Sequence, residues 1–92
     1  MDVDRLHVFI EGRVQGVGFR YAVYHQARRL GLNGWVQNTY DGRVEAEFEG
    51  PRAALDTMLE WCGRGPSLAQ VAKVEPTWDQ GAARYSGFTI RG

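Results

Sequence analysis

The chain has 92 residues, 43% of them hydrophobic and 24% charged, and its basic and acidic side chains balance to a formal net charge of zero. That length and composition fit one independently folding domain, assigned to residues 1–92, and the neutral balance speaks against a protein that neutralises many nucleic-acid phosphates. The lone Cys62 excludes an internal disulfide and any multi-cysteine metal site.

The N-terminal run Met1-Asp2-Val3-Asp4-Arg5 lacks the apolar centre of a signal peptide, and no apolar stretch is long enough to span a bilayer. The expectation is a cytoplasmic protein without a membrane or nucleic-acid partner. Over residues 5–11, Leu6, Val8 and Ile10 alternate with His7, Phe9 and Glu11, which predicts a strand extending as far as Arg13. After a glycine-rich stretch, Phe19, Val23, Ala27 and Leu30 recur at helical spacing. Arg28 and Arg29 suit the last turn of that helix, and Gly31 suits its termination.

Asn33-Gly34 is expected to turn the chain into a second strand over residues 35–40. Asp41-Gly42 reads as a two-residue hairpin turn, followed by a third strand over residues 43–49. There Val44, Ala46 and Phe48 face one way while Arg43, Glu45, Glu47 and Glu49 face the other, so one side is predicted buried and one wet. Gly50-Pro51 opens a second helix with Leu55, Met58, Leu59 and Cys62 as its apolar stripe, ending at Gly63 or Gly65. A fourth strand is placed within residues 70–78, limited by Pro76 to an edge or a strand end, with a loop over residues 79–83. Residues 88–91 alternate again and predict a short last strand.

This order predicts an α+β fold of the ferredoxin-like, split βαβ type (βαββαβ): an antiparallel sheet with two helices on one face and a possible extra strand. In that topology the first two strands run parallel on either side of the third, so their C-terminal ends meet at one edge of the sheet. The run Gly12-Arg13-Val14-Gln15-Gly16-Val17-Gly18-Phe19-Arg20 leaves the first of those ends, and Asn38 lies near the second. Glycines before a helix let several N–H groups aim at one point, which makes an anion cradle. Arg20 adds a planar two-pronged donor suited to phosphate, at a helix start where a cation is otherwise misplaced.

Both runs resemble the signatures of the acylphosphatase family. The first resembles an apolar-glutamine-glycine-valine core that ends in phenylalanine-arginine. The second run, Gly34-Trp35-Val36-Gln37-Asn38 followed by Asp41-Gly42, is similar to the family's second signature, and the likeness extends to the late Gly87-Phe88-Thr89-Ile90. Gly18 stands where many members carry a larger residue. The resemblance implies a stand-alone enzyme that hydrolyses acyl phosphates to a carboxylate and inorganic phosphate, without metal, cofactor or phosphoenzyme. It also implies that the backbone amides of Val14, Gln15, Gly16, Val17, Gly18 and Phe19 hold the phosphate with the Arg20 guanidinium, and that Asn38 orients the attacking water.

The chemistry of these residues agrees. Phosphoryl transfer needs positioning and electrostatic stabilisation, which N–H dipoles and an arginine supply. The leaving carboxylate, whose conjugate acid has a pKa of about 4, needs no general acid. Asn38 is a poor base but a good water anchor. His7 and His25 are placed mid-strand and mid-helix, unsuited to a covalent route, and Tyr21, Trp35, Tyr40, Trp61 and Trp78 are expected to pack rather than to stack on bases. An RNA-recognition domain shares the topology but exposes aromatics where the third strand here carries Glu45, Glu47 and Glu49. A metal-carrying domain of this fold would need a cysteine pair. The simplest oligomeric state is a monomer; the physiological acyl group is not encoded in a cradle that grips only the phosphoryl end.

Overall fold

In the computed structural model, which describes residues 2–92, the elements follow the order β1 (Asp2–Arg13), α1 (Phe19–Arg29), β2 (Asn33–Asn38), β3 (Val44–Gly50), α2 (Arg52–Arg64), β4 (Gln70–Ala82) and β5 (Phe88–Arg91). The five strands form one sheet in the order β4-β1-β3-β2-β5. β3 pairs antiparallel with both β1 and β2, so those two run in the same direction and end at the same edge.

The alternation of the strands sets the core. Leu6, Val8 and Ile10 of β1, Val36 of β2, and Val44, Ala46 and Phe48 of β3 lie on one side of the sheet and are fully buried. They pack with Phe19, Val23 and Ala27 of α1 and with Leu55, Met58 and Cys62 of α2 in a single apolar cluster. Both helices therefore cover that side, as expected for the ferredoxin-like arrangement. Burial pushes the Cys62 thiol up to about 12, so it is an apolar packing group here.

Several expectations need correction. The sheet is mixed, because β5 pairs parallel with β2 (Val36 opposite Ile90). β4 and β5 occupy opposite edges, so residues 83–87 must cross the sheet, and the strand that follows arrives in the direction of β2. β4 also runs on through Pro76 to Ala82, replacing the loop expected over residues 79–83. Pro76 is accommodated because β4 has a single neighbour and a missing donor can be turned to solvent. Beyond it, an Asp79–Arg5 ion pair at 3.0 Å and a Gln80–Asp4 hydrogen bond at 3.0 Å hold the polar end of the strand against β1.

Around β2 the boundaries shift as well. Asn33 and Gly34 belong to the strand, and a Cβ at Gly34 would lie 1.8 Å from the carbonyl oxygen of Glu47, so the close strand approach requires glycine. β2 stops at Asn38, and the hairpin closes with Thr39 N–H donating to the Arg43 oxygen at 2.9 Å. That leaves residues 40–42 at the tip, one more than a two-residue turn, with Gly42 at φ 90°. α2 ends at Gly65 rather than Gly63.

The side of β3 predicted to be wet is only partly so. Arg5, Glu47 and Glu49 are buried, at 3%, 8% and 2% exposure. The crossing segment covers them: Glu49 accepts the main-chain N–H of Arg84 at 3.1 Å and of Tyr85 at 3.2 Å, and the Trp35 indole N–H donates to the Tyr85 hydroxyl at 3.0 Å. Arg5 donates to Glu49, Asp79 and the Ala82 carbonyl, so the buried charges are paired.

Candidate active site

The loop between β1 and α1 is built by its glycines. Gly16 and Gly18 adopt φ 74° and 78°, and Gly18 caps α1 in the left-handed conformation with no side chain accepting at the helix start. The first helical bond is donated by Ala22 to the Gly18 oxygen. The N–H groups of residues 19–21 therefore have no partner within the helix. No acidic residue occupies the first turn of α1. Unpaired donors, a positive helix end and the Arg20 guanidinium point to an anionic ligand.

Beside this loop lies a concavity of about 170 Å³, lined by Val14, Gly16, Gly18, Phe19, Arg20, Tyr21 and Asn38. The two ends of parallel strands thus deliver Arg20 and Asn38 to one pocket, as their placement in the sequence predicts. Space beyond both loop glycines is open, since a Cβ at Gly16 or Gly18 would meet nothing within 4 Å. Arg20 donates through Nη1 to the main-chain oxygen of Gly92 and forms no salt bridge among the described residues.

Asn38 is the last residue of β2, on the helix-covered side with Val36. Its Oδ1 is buried yet has no hydrogen-bond partner, the one such side-chain atom among the described residues. A buried acceptor left unsatisfied is costly, and because Asn38 lines the pocket, a turn of its amide toward the pocket would let a ligand or water supply the missing donor.

Two expected cradle residues, Gln15 and Val17, direct their side chains away from the concavity, so what they can offer it is the main-chain N–H alone. Val17 packs against the core. Gln15 reaches from the loop to the β2–β3 turn, donating to the main-chain oxygens of Thr39 at 2.8 Å and Arg43 at 2.9 Å. Tyr21, whose sequence context predicts packing, instead lines the pocket with 64% of its surface exposed. Its position directly after Arg20 was the available signal, because adjacent first-turn residues at a helix start flank the same loop.

The remaining polar side chains have structural partners. His7 Nε2 lies 2.7 Å from Glu45 Oε2 on the helix-free side of the sheet, and His25 is exposed on α1; neither lines the pocket. The Thr39 hydroxyl bond, with the Arg43 charge, holds the Asp41 carboxyl below the usual carboxylate range. No cluster of three or more His, Cys, Asp or Glu side chains converges among the described residues, and no helix there is long and apolar enough to cross a membrane.

Comparison with known proteins adds an independent line. The family profile described as Acylphosphatase matches residues 6–90. The acylphosphatase of Roseiflexus sp. (strain RS-1) is 51% identical over 90 residues, covering 98% of this chain and 97% of that protein. That of Anaeromyxobacter sp. (strain Fw109-5) is 48% identical over the same length, with the same coverage. The crystal structure of acylphosphatase from Bacillus subtilis superposes with a TM-score of 0.93 at 37% identity, covering 97% of this chain and 99% of that one.

Proposed function

The chain belongs to the acylphosphatase family and hydrolyses acyl phosphates to a carboxylate and inorganic phosphate, and we propose that it does so in the pocket shared by Arg20 and Asn38. Main-chain N–H groups of residues 14–19 and the Arg20 guanidinium bind the phosphoryl oxygens and stabilise the charge that they carry through the transition state. Asn38 Oδ1 accepts a hydrogen bond from the attacking water and holds it in line with the acyl oxygen that leaves. A phosphoryl oxygen takes the proton of that water. The leaving carboxylate departs unprotonated, its conjugate acid having a pKa of about 4, so no side-chain acid is needed.

The observation that carries this assignment is the orphaned Asn38 Oδ1. Asn38 lines the pocket beside Arg20 and its buried acceptor calls for a donor, which the reaction's water supplies once the amide turns toward the pocket. We further read the protein as a metal-independent, cofactor-free monomer of one domain over residues 1–92, acting in the cytoplasm on small acyl phosphates and on neither nucleic acid nor membrane. The single core joining all the central strands and both helices supports the one-domain assignment.

The deciding experiment is hydrolysis of benzoyl phosphate in the presence of EDTA, with the Arg20→Ala and Asn38→Ala variants alongside. Chelator-resistant turnover by the parent and loss in both variants is the expected outcome. A strict magnesium requirement would place the chemistry elsewhere.

A further inference from the structure

The phosphate loop and the residue that holds water come from different parts of the chain, so something must fix one against the other. Among the described residues, one side chain joins them by hydrogen bonds. Gln15 Nε2 donates to Thr39 O at 2.8 Å and to Arg43 O at 2.9 Å, using both amide hydrogens on the two residues that close the β2–β3 hairpin. At one end, Gln15 sits between Val14 and Gly16, which both line the pocket. At the other, Thr39 directly follows Asn38.

The gripped turn is itself cross-braced. Thr39 N–H donates to Arg43 O at 2.9 Å, and Arg43 N–H donates to the Thr39 hydroxyl at 3.0 Å. That hydroxyl donates in turn to Asp41, whose carboxylate accepts from Arg43 Nε at 2.9 Å. A movement imposed on Thr39 and Arg43 therefore carries the whole turn, and Asn38 with it. In-line attack is sensitive to such movement, since a misplacement of about 1 Å can cost on the order of a hundredfold in rate.

We propose that Gln15 is a positioning residue for hydrolysis: its two-pronged amide sets the distance between the phosphoryl group in the loop and the water on Asn38. The assignment rests on the water-holding role given to Asn38 above. Loss of the clamp leaves the loop amides and Arg20 in place but frees the turn, so turnover suffers more than phosphate binding.

Gln15→Met, an apolar side chain of similar length, tests this under conditions where circular dichroism shows the variant folded. The expected result is a fall in kcat for benzoyl phosphate of about ten- to a hundredfold, with competitive inhibition by inorganic phosphate changed by less than about threefold. A purely structural role would lower Tm and leave kcat per folded molecule unchanged. Either kcat within about twofold of the parent, or a loss of phosphate affinity as large as the loss of turnover, would overturn the proposal. Should Gln15→Met not fold, Gln15→Asn, with an amide on a shorter arm, must show the same split.

Asn38→Ala measured beside them separates the two claims. If Asn38→Ala is slow and Gln15→Met is not, the clamp alone fails. If Asn38→Ala keeps its turnover, the water-holding role fails first and the clamp with it. In the double variant, Gln15→Met should cost nothing beyond Asn38→Ala, because a residue acting through another has no effect once that other is gone.

Discussion

Arg5 and Glu49 form an ion pair of 2.7 Å across neighbouring strands on the face of the sheet that carries no helix, and both are buried. Breaking an isolated buried pair costs about 3–5 kcal/mol, but without Glu49 the Arg5 guanidinium still has Asp79 at 3.0 Å and Glu47 at 3.4 Å. Glu49 also accepts from Arg84 and Tyr85, which fasten the crossing segment that leads to β5. Glu49→Ala should therefore lower the free energy of unfolding in urea by less than that, about 1–3 kcal/mol, mostly through the unsatisfied N–H groups of Arg84 and Tyr85. Its effect on inhibition by phosphate should be small, because the pair lies on the opposite face from the pocket. A loss below about 1 kcal/mol would mean that water enters and solvates Arg5 in the variant.

The same cluster gives the protein an acid sensitivity. The Gln80 main-chain bond, followed by the bond and charge of Arg5, holds the Asp79 carboxyl below its ordinary value. A carboxyl with a depressed folded-state pKa contributes stability that is complete above its unfolded pKa of about 4 and is lost as the pH falls through the lower folded value. Asp41, depressed by the Thr39 hydroxyl and by Arg43, acts in the same direction. Tm should therefore fall below about pH 4, and Asp79→Asn should flatten that part of the curve. An unchanged slope in Asp79→Asn would assign the acid loss to other carboxylates.

What could be read from the sequence and what could not follow from which residues carry periodic information. Leu6, Val8, Ile10 and Val44, Ala46, Phe48 alternate without exception, and this alternation specifies strands, register and the core side together. Arg20 and Asn38 were legible as one site because chain topology alone sends the ends of two parallel strands to one edge. Glu47 and Glu49 were not legible as buried: their alternation is the same as that of a solvated face, and what covers them is a segment far along the chain. Asp79, Gln80 and Gly81 look like a loop by composition, yet they pair with β1 because Arg5 and Asp4 supply polar partners. Gln15 carries no local signal for its role, since its acceptors are two main-chain oxygens whose positions exist only after folding.

Arg20 is the charged residue lining the pocket proposed to hold phosphate. Replacing it by alanine removes the guanidinium fork from the pocket and leaves the loop amides, so inorganic phosphate should inhibit less strongly. Turnover of benzoyl phosphate should fall by at least about a hundredfold, since the interaction strengthens as charge redistributes in the transition state. Arg20→Lys should restore charge without the fork and recover only part of the rate. Titration of phosphate against the variant, followed by NMR or by inhibition, is the check; unchanged phosphate affinity would remove Arg20 from the cradle.

Asn38 should show the opposite split, with a second signature in stability. In Asn38→Ala the loop and Arg20 remain, so phosphate should bind nearly as in the parent, while kcat drops by about a hundred- to a thousandfold for want of a held water. The side chain it removes carries a buried acceptor that no protein donor satisfies. Deleting an unsatisfied polar group is close to neutral or favourable for folding, unlike deleting a bonded one. Asn38→Ala should therefore unfold at a Tm equal to or above that of the parent, even though it is the slower enzyme. Such a trade is expected where a residue is kept for its chemistry at the expense of packing. Thermal unfolding and steady-state kinetics on one preparation decide the matter. A variant that lost stability in step with activity would identify Asn38 as a structural residue of the hairpin.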